Sequence, residues 1–450
     1  MTEKKKDRAG LLVAVLAAAG LLFLAFVAGA WTAWRDVFPY RDHLRSAFIG
    51  AKALQGRIRT DRSRPKPKRS GKKAVAPRPS GVTFHDPARA TPGLTLVLSG
   101  QNARLIDLDG TVRHAWQMEY EQVRGPGALI DAPADVSWLY WRPARVLPDG
   151  DLLAVVHLRH QTPEGLGLAR LDRDSRVKWF FHGHVHHDLD VAPDGRIFIL
   201  GQGLREKPPR GLERLRGPLV DERLFILSPA GVLLEDIPLL EAFADSPYRT
   251  LAVRTAGERR YSKGDYLHSN SCEIADAGDA ARFDFVREGQ VLLSLREMSA
   301  LAVLDPVSRR ITWARLGPWF QQHDPDFLDN GNLLVFDNQG DWDRKGTTRV
   351  IEVDPRTNGI VWQYPPRGAP PEALWSVMRG EAQRFANGNT LINEQANGRI
   401  IEVTPAGEIV WEYHAATAPD PDDDDPVVRT MYTERFVPGT LDFPMNGGRL

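Results

Sequence analysis

LDNGNLLVFD (residues 328–337), followed by TRVIEVDPRTNGIVW (348–362), returns further along the chain as FANGNTLINE (385–394), followed by GRIIEVTPAGEIVW (398–411). In both copies short runs rich in β-formers are separated by Asn-Gly or Pro-x-Gly turns, at spacings that no helix would give. Each copy therefore reads as four strands: a hairpin, a third strand that ends at Asp-Pro or Thr-Pro, and a fourth that ends at Trp. A four-stranded unit that is repeated with no long helical period between the copies is typical of a β-propeller.

The ends of the fourth strands give the number of blades. Five of them are tryptophans and one, in a degenerate unit, lies near an aspartate: Trp116, Trp179, about Asp236, Trp313, Trp362 and Trp411. Six ends predict an all-β, six-bladed propeller, which we place over residues 92–450. We expect the tryptophans to pack between blades rather than to contact a ligand. We also expect the first and last segments to pair, so that the closed ring exposes no edge strand.

The N-terminal residues predict a membrane anchor. After a basic start (KKKDR, 4–8), residues 10–31 carry no charge, and about 20 apolar residues suffice to cross a bilayer. The basic start predicts a single pass through the inner (cytoplasmic) membrane, with the propeller on the periplasmic, extracytoplasmic side. We assign residues 1–34 to this transmembrane helix. The alternative is a cleavable signal peptide, because Ala-Gly-Ala at 28–30 fits a small-residue cleavage site.

A basic linker separates this segment from the propeller. Residues 57–78 contain ten Lys or Arg against one Asp, together with three prolines, so they cannot bury a core; we assign residues 35–91 to the linker. The formal net charge of the chain is zero, so its composition gives no indication of a nucleic-acid partner. The single cysteine, Cys272, excludes an intramolecular disulfide, and the acidic run 420–425 lacks the spacing of a calcium loop.

Two histidines stand at the same place in the repeat. His187 and His323 each precede the glycine of a tight turn, Gly195 and Gly331, by eight residues. Arg142 has the same offset in another unit. In a propeller the innermost strand of each blade begins near the central channel, so residues just ahead of these strands converge on one face. The offset therefore predicts a shared site at one end of the channel.

The unit between the two histidines adds a third histidine and an arginine. His268 opens that unit, and Arg296 lies seven residues beyond Gly289, on its return strand. The strands of a hairpin run antiparallel and rise equally per residue. A residue eight positions before the turn and one seven positions after it therefore finish at the same end. Three imidazoles and a guanidinium suit a tetrahedral anion such as sulfate or phosphate. All of them can donate hydrogen bonds, and an imidazole can also attack as a nucleophile.

Other functions are compatible with parts of this pattern. The run of His182, His184, His186 and His187 could bind zinc, but no carboxylate or cysteine at suitable spacing completes the set, and we predict no metal and no cofactor. A quinone-dependent dehydrogenase needs more blades than this chain encodes and a cysteine pair that it lacks. The main alternative is a non-catalytic, membrane-anchored propeller that binds anionic or aromatic ligands or scaffolds a membrane complex.

Several ordered motifs resemble the bacterial arylsulfate sulfotransferase family. They are His-His-Asp at 186–188, Leu-His-Ser-Asn-Ser at 267–271, Ser-Leu-Arg at 294–296 and Gln-His at 322–323. The stretch AQRFANGNTLI (382–392), with GRIIEVTP behind it, is similar to the most typical part of the wider family. The resemblance covers roughly residues 92–440, and several motifs in order are more specific than any one of them.

The resemblance implies an enzyme that moves a sulfuryl group from a phenolic sulfate ester to another phenol, in a ping-pong scheme without a nucleotide sulfate donor. It implies that His323 is the nucleophile, forming a transient sulfohistidine, and that His268 is the acid and base for the phenol oxygens. His323 must be neutral when it attacks, which a neighbouring arginine favours. The resemblance assigns the sulfuryl oxygens to His187, Asn270 and Arg296, and further substrate-binding candidates are His186 and Arg142.

Overall fold

The computed structural model describes residues 80–129, 139–158, 163–255, 264–339, 348–416, 418–420, 423–427 and 430–445, with residues 19–21, 23, 24 and 27 near the N-terminus. The chain divides into two units, Met1–Ala76 and Pro77–Leu450, and the second contains the strands of the described residues. Nowhere in the described parts is a helix both long and apolar enough to span a bilayer. Most of the predicted anchor (1–34) and most of the predicted linker (35–91) fall outside the described residues and stay predictions.

The described part of the second unit contains six antiparallel sheets, one per blade, and a separate two-stranded hairpin. The first strand is β1 (Gly81–His85), and blades 1 to 3 follow it: β2 (Leu94–Ser99), β3 (Asn102–Ile106) and β4 (Val112–Gln117) of blade 1; β5 (Leu139–Val146), β6 (Leu152–Leu158), β7 (Gly167–Leu171) and β8 (Val177–His182) of blade 2; β9 (Val185–Val191), β10 (Ile197–Arg205), β11 (Leu219–Leu227) and β12 (Leu233–Pro238) of blade 3. Blades 4 to 6 contain β13 (Ser269–Ile274), β14 (Val291–Leu295), β15 (Ala300–Asp305) and β16 (Arg310–Leu316) of blade 4; β17 (His323–Phe327), β18 (Leu333–Asp337), β19 (Arg349–Asp354) and β20 (Gly359–Tyr364) of blade 5; β21 (Glu381–Arg384), β22 (Thr390–Glu394), β23 (Arg399–Val403) and β24 (Ile409–His414) of blade 6. The last strands are the separate hairpin, β25 (Ala418–Asp420) and β26 (Asp423–Val427), and β27 (Thr433–Phe436). The helices are α1 (Leu239–Ala244), α2 (Arg249–Thr255) and α3 (Ala277–Arg282), with short 3₁₀ turns at Tyr120–Gln122, Arg296–Met298, Pro371–Ala373 and Gln395–Asn397.

The last strand closes the ring. β27 pairs with β2 as the innermost strand of blade 1, with Leu94 opposite Phe436. This pairing confirms the predicted closure of the propeller by its first and last segments. β1 pairs with β24 as a fifth, outermost strand of blade 6, so strand structure begins before residue 92, inside the stretch assigned to the linker. The reason is packing, because Val82 of β1 contacts the hydrophobic core between blades 6 and 1.

The five tryptophans and Asp236 lie in the outermost of the four strands of each blade, β4, β8, β12, β16, β20 and β24, which confirms six blades, but each strand continues one to three residues past the predicted end. In four blades the indole Nε1 donates a hydrogen bond to a backbone carbonyl of the next blade: Trp116 to Gly150 (3.1 Å), Trp179 to Pro229 (3.2 Å), Trp362 to Pro405 (2.8 Å) and Trp411 to Leu108 (2.8 Å). Trp313 instead stacks on Phe285, with ring centroids 4.2 Å apart. The four indole hydrogen bonds are contacts between blades, as expected.

The repeated Asn-Gly-Asn turn also links neighbouring blades. In blade 5, Glu352 of β19 accepts hydrogen bonds from the side chains of Asn330 (2.8 Å) and Asn332 (2.7 Å), which flank the turn glycine. The other carboxylate oxygen of Glu352 pairs with Arg384 of β21, 3.0 Å away in blade 6. One glutamate therefore ties the turn of its own blade to the innermost strand of the next.

The second copy of this contact joins the two ends of the propeller. Glu402 of β23 accepts hydrogen bonds from Asn389 (2.7 Å) and from the amide and hydroxyl of Thr91 (2.8 and 2.7 Å), and it pairs with Arg435 of β27. Arg435 also donates to the hydroxyl of Thr95, 2.9 Å away in β2. The side chains of Glu402 and Arg435 are both fully buried. We call these five residues the closing latch.

Candidate active site

A β-bulge interrupts the innermost strand of four blades near its first residue. The register breaks between Trp141 and Ala144 of β5, Val185 and Leu189 of β9, Ser269 and Ser271 of β13, and His323 and Asp326 of β17. A bulge adds a residue to one strand, bends that strand and re-aims its side chains. The site residues that the sequence predicts within or at the border of these bulges are Arg142, His186, His187, Asn270 and His323.

Left-handed backbone at non-glycine residues occurs at the same end of these strands. The φ angles are 58° at His187, 47° at His268, 48° at Asp324 and 71° at Arg379. A residue with a Cβ atom rarely adopts this conformation, and such strain persists only where the surroundings determine it, often at functional sites. The backbone is therefore shaped to hold these residues in one place.

The structure brings the predicted residues together. Arg142, His187 and His323 are buried, with 4%, 8% and 3% of their surfaces exposed, although they come from three blades. The ring centroids of His187 and His268 are 5.0 Å apart. The amide of Arg296 donates to the carbonyl of His268 (3.0 Å). The two residues are therefore neighbours, as the antiparallel offset predicts. Blades 2 to 5 thus contribute to one site.

Asn338 fixes the tautomer of His323. Nδ1 of His323 lies 2.7 Å from Oδ1 of Asn338, whose amide nitrogen donates to the carbonyls of Ser376 (2.8 Å) and Arg379 (2.6 Å). Because that nitrogen is engaged, the oxygen of Asn338 faces the imidazole, and Nδ1 of His323 must carry the hydrogen. Nε2 then presents a lone pair, which accepts a hydrogen bond from the amide of Arg379 (3.2 Å).

The surroundings also keep His323 neutral. Burial lowers the pKa of His323 well below its usual value, and the positive charges of Arg142 and Arg296 lower it further. A nearby cation disfavours the imidazolium form, which is the effect expected of a neighbouring arginine. The contribution of Arg142 is the larger of the two. At neutral pH Nε2 of His323 is therefore unprotonated, and its lone pair is available for chemistry once the amide of Arg379 releases its hydrogen bond.

His268 has the opposite charge state. Its Nδ1 lies 2.5 Å from Oδ2 of Asp265, and its amide donates to the other oxygen of the same carboxylate (2.9 Å). Burial alone would lower the pKa of His268, but Asp265 outweighs it and raises the pKa to about 9. The imidazolium of His268 is thus the stable form at neutral pH, next to a neutral His187.

A buried carboxylate orients His187 through His186. Glu222 accepts hydrogen bonds from Gln202 (2.8 Å) and from the amide and hydroxyl of Ser269, and its Oε2 lies 3.3 Å from Nε2 of His186. Nδ1 of His186 is 2.7 Å from Nδ1 of His187. Burial opposes the charge on His186, yet Glu222 raises the pKa of His186, whereas burial and neighbouring cations lower the pKa of His187 well below its usual value. His186 therefore donates to His187, which leaves Nε2 of His187 with the hydrogen.

The two predicted arginines differ in their partners. Arg296 pairs with Glu297 at 2.5 Å and contacts Gln321 at 3.5 Å. Among the described residues, Nε of Arg142 has no hydrogen-bond partner and its guanidinium forms no ion pair, although the carboxylate of Glu381 acts on it electrostatically. Burial, followed by the charge of Arg379, lowers the pKa of Arg142 to about 10, so Arg142 remains a cation at neutral pH. A buried cation without an ion-pair partner among the described residues suits an anion-binding site.

Asn270 supports the residue in front of His323. Its amide nitrogen donates to the carbonyl of Gln322 (2.9 Å). The side chain of Gln322 is held in turn by the hydroxyl of Ser294 and the carbonyl of Ala300, each at 3.0 Å. The second amide hydrogen of Asn270 is the one that could reach a substrate.

The aspartates that follow the two motif histidines have a structural explanation. Oδ2 of Asp188 accepts a hydrogen bond from the amide of Cys272 (2.9 Å), and Oδ2 of Asp324 accepts one from the amide of Ala382 (2.7 Å). Each bond joins the innermost strand of one blade to that of the next. Both aspartates line a channel cavity of about 350 Å³. The pairing of His with Asp in the motifs therefore combines a site residue with an inter-blade contact.

Among the described residues, the group of side chains close enough together to bind a metal ion is not the histidine run considered from the sequence. Donor atoms of Glu222, Asp265 and His268 lie within 4.8 Å of one another. These atoms already bind each other or the neighbouring Gln202 and Ser269, as described above. His184 of the histidine run contacts the carbonyl of Gly165 (3.1 Å) instead.

Several residues of the site were not anticipated from the sequence. Asp265 had a usable signal, because it lies three residues before His268. Asn338, Arg379 and Glu222 had none, since each reaches the site from a strand or loop whose position depends on the packing of the blades. The same holds for His157 of β6, which lies beside His187 with ring centroids 6.4 Å apart.

Comparison with known proteins gave one family match and several solved structures of low similarity. A protein-family model described as Arylsulfotransferase (ASST) matches residues 144–416. Similar solved structures include a protein of unknown function from Bacteroides caccae (12% identity, 75% of this chain and 97% of that one, TM-score 0.46), a streptogramin B lyase (14%, 63% and 70%, 0.35) and the WD40 β-propeller domain of Doa1 (9%, 77% and 95%, 0.39). No curated protein was found to match the chain.

Proposed function

The chain belongs to the arylsulfotransferase (ASST) family, and on this premise we propose that it transfers a sulfuryl group from a phenolic sulfate ester to a phenol through a sulfohistidine at position 323. The observation that carries the proposal is the buried guanidinium of Arg142, which lacks a carboxylate partner among the described residues and acts electrostatically on neutral His323. A buried charge is costly unless it is paired. The negatively charged sulfate ester would supply the missing partner.

In the first half-reaction the lone pair of Nε2 of His323 attacks the sulfur of the aryl sulfate. The N–S bond forms as the bond between sulfur and the aryl oxygen breaks. The departing phenoxide takes a proton from His268, which Asp265 keeps protonated until that moment. The products are a phenol, a sulfohistidine and a neutral His268.

The second half-reaction reverses these steps with a different phenol. The acceptor hydroxyl gives its proton to His268, and its oxygen attacks the sulfur as the N–S bond breaks. Arg142, Arg296 and Nε2–H of His187 donate to the sulfuryl oxygens while charge moves across them. The amide of Arg379, which donates to Nε2 in the resting site, is placed to donate to a sulfuryl oxygen once Nε2 is sulfated.

The proposal is tested with the full-length protein, 4-nitrophenyl sulfate as donor and phenol as acceptor. We expect release of 4-nitrophenol that depends on phenol, formation of phenyl sulfate in equal amount, and parallel double-reciprocal plots, because donor product leaves before acceptor reacts. Release of inorganic sulfate instead would indicate a sulfatase. No release with any aryl sulfate would favour the non-catalytic, ligand-binding propeller.

Arg142→Met is expected to lower kcat/KM by roughly 10²- to 10³-fold, because a preorganised cation aimed at the sulfuryl oxygens is lost. The melting temperature should not fall, since the substitution removes an unpaired buried charge rather than a structural contact. Steady-state rates and thermal unfolding of the same preparation measure both effects.

Two further variants complete this test. Arg142→Lys should recover part of the rate because it restores the charge without the planar fork of donors. Arg176→Met is the matched control, since its side chain is 75% exposed and outside the site, and it should change neither quantity. A lower melting temperature of Arg142→Met with an unchanged rate would identify Arg142 as a structural residue instead.

A further inference from the structure

A fifth imidazole, absent from the sequence motifs, adjoins the site that contains His186, His187, His268 and His323. His157 is only 1% exposed, and its ring lies edge to face with that of His187. The opposite side of the ring stacks on Tyr140, with centroids 5.2 Å apart and an angle of 21° between the planes. Tyr140 of β5 pairs in register with His157 of β6. Tyr140 stands two residues before Arg142 in β5. His157 is therefore held between a stacking partner and a residue of the sulfuryl site.

One ring nitrogen of His157 is satisfied and the other is not. The ring donates a hydrogen bond to the carbonyl of Arg142, whereas Nε2 is buried without a partner among the described residues. Nδ1 therefore carries the hydrogen, and Nε2 presents a lone pair. Burial, followed by the charges of Arg142 and His186, lowers the pKa of His157 well below its usual value, so Nε2 stays an acceptor at neutral pH.

The sulfuryl group does not match this acceptor. Its oxygens carry negative charge and lone pairs, which repel the lone pair of Nε2. The other groups that we assign to the sulfuryl oxygens, Arg142, Arg296 and Nε2–H of His187, are all hydrogen-bond donors. His157 is an acceptor among these donors, and the partner that fits it is a neutral O–H group on the organic part of a substrate.

We propose that His157 forms a specificity subsite that accepts a hydrogen bond from a second hydroxyl group on the aromatic ring of the sulfuryl acceptor. The inference rests on the proposed function and names the class of acceptor, a dihydroxyphenyl compound. A site with a buried acceptor discriminates against an analogue that lacks the hydroxyl, because the acceptor is then left unpaired.

The test compares catechol, resorcinol and hydroquinone with their monomethyl ethers as acceptors for the full-length protein. For at least one isomer we expect kcat/KM about 10- to 100-fold above that of its ether, a range set by the cost of an unpaired buried acceptor. His157→Phe keeps an aromatic ring against Tyr140 but has no lone pair, so the ratio should approach one. His157→Gln retains an acceptor oxygen and should keep part of the ratio. His85→Phe, on the outermost strand of blade 6, is the matched control and should keep all of it.

Each other outcome contradicts a stated part of the inference. A wild-type ratio near one, or an unchanged ratio in both His157 variants, overturns the subsite. Equal losses for both acceptors in the variants assign His157 to the positioning of His187 and also overturn it. Absence of transfer to every acceptor by the wild-type protein contradicts the proposed function itself, and the inference fails with it.

Discussion

His323→Ala should lower kcat for sulfuryl transfer by roughly 10⁴- to 10⁶-fold, the range observed when a covalent nucleophile is removed. In the proposed scheme every turnover passes through an N–S bond to Nε2 of His323. His268 does not replace it, because Asp265 holds His268 as the imidazolium, and His187 does not replace it, because His187 presents Nε2–H. Initial rates with 4-nitrophenyl sulfate and phenol measure the loss.

A direct readout of the intermediate separates this role from simple damage to the site. Wild-type protein incubated with ³⁵S-labelled aryl sulfate and no acceptor should retain label through an alkaline quench, and release it in acid, where an N–S bond is labile. His323→Ala should retain none. Equal labelling of the two proteins would place the sulfuryl group on another residue, and unchanged turnover would remove His323 from the reaction.

Two variants define the specificity of this result. Asn338→Ala leaves the imidazole in place but removes the acceptor that fixes Nδ1–H, so we expect an intermediate loss of about 10²- to 10⁴-fold, similar to the loss of a tautomer-fixing partner elsewhere. His182→Ala is the matched control, because this histidine lies in the outer strand of blade 2 and contacts Phe180. Its rate should equal that of the wild type.

The fold and the end of the channel that holds the site could both be predicted from the repeat. Glycine turns and fourth-strand tryptophans have fixed positions in each unit, because a blade needs the same turn and the same inter-blade contact each time it occurs. The equal offsets of Arg142, His187 and His323 from their turn glycines then follow from the constant rise of a strand. Local geometry carries this information, and local geometry is readable from sequence.

The state of each side chain could not be predicted in the same way. The charge of His268 and the tautomers of His187 and His323 depend on Asp265, Glu222 and Asn338, which arrive from other elements. The bulges that re-aim the site residues could not be located from the sequence, because each shifts the alternation within a strand of only five to eight residues. The sequence therefore predicted where the candidate site lies, whereas the tautomer of each histidine depends on the packing of other elements.

The role of the Asn-Gly-Asn stretch likewise became clear only from packing. Its similarity between two units suggested a family signature. In the structure its asparagines donate hydrogen bonds to Glu352 in one copy and to Glu402 in the other. These glutamates form ion pairs with Arg384 and Arg435, respectively. The first of these connects two consecutive blades, whereas the second connects the last blade to the strand that closes blade 1. The two copies should therefore differ in their contribution to stability.

Glu402→Ala should destabilise the propeller by about 3–5 kcal/mol, the cost of leaving a buried charge without its partner. The substitution leaves the guanidinium of Arg435 unpaired at a fully buried position, together with the donors of Thr91 and Asn389. These groups hold β27 in blade 1, so the loss acts at the closure of the ring. We expect the melting temperature to fall by on the order of 10 °C, as measured by circular dichroism or calorimetry.

The two copies of the motif provide the controls for the closing latch. Glu352→Ala should cost less, because the side chain of Arg384 is 18% exposed and can turn to water, whereas that of Arg435 is fully buried. Glu402→Leu combined with Arg435→Met should be more stable than Glu402→Ala alone, since no buried charge is left unpaired. The exposed Glu408→Ala should be indistinguishable from the wild type. If Glu402→Ala unfolds at the same temperature as Glu408→Ala, the closure of the propeller depends on the β2–β27 backbone pairing and the burial of its apolar residues, and the latch contributes nothing.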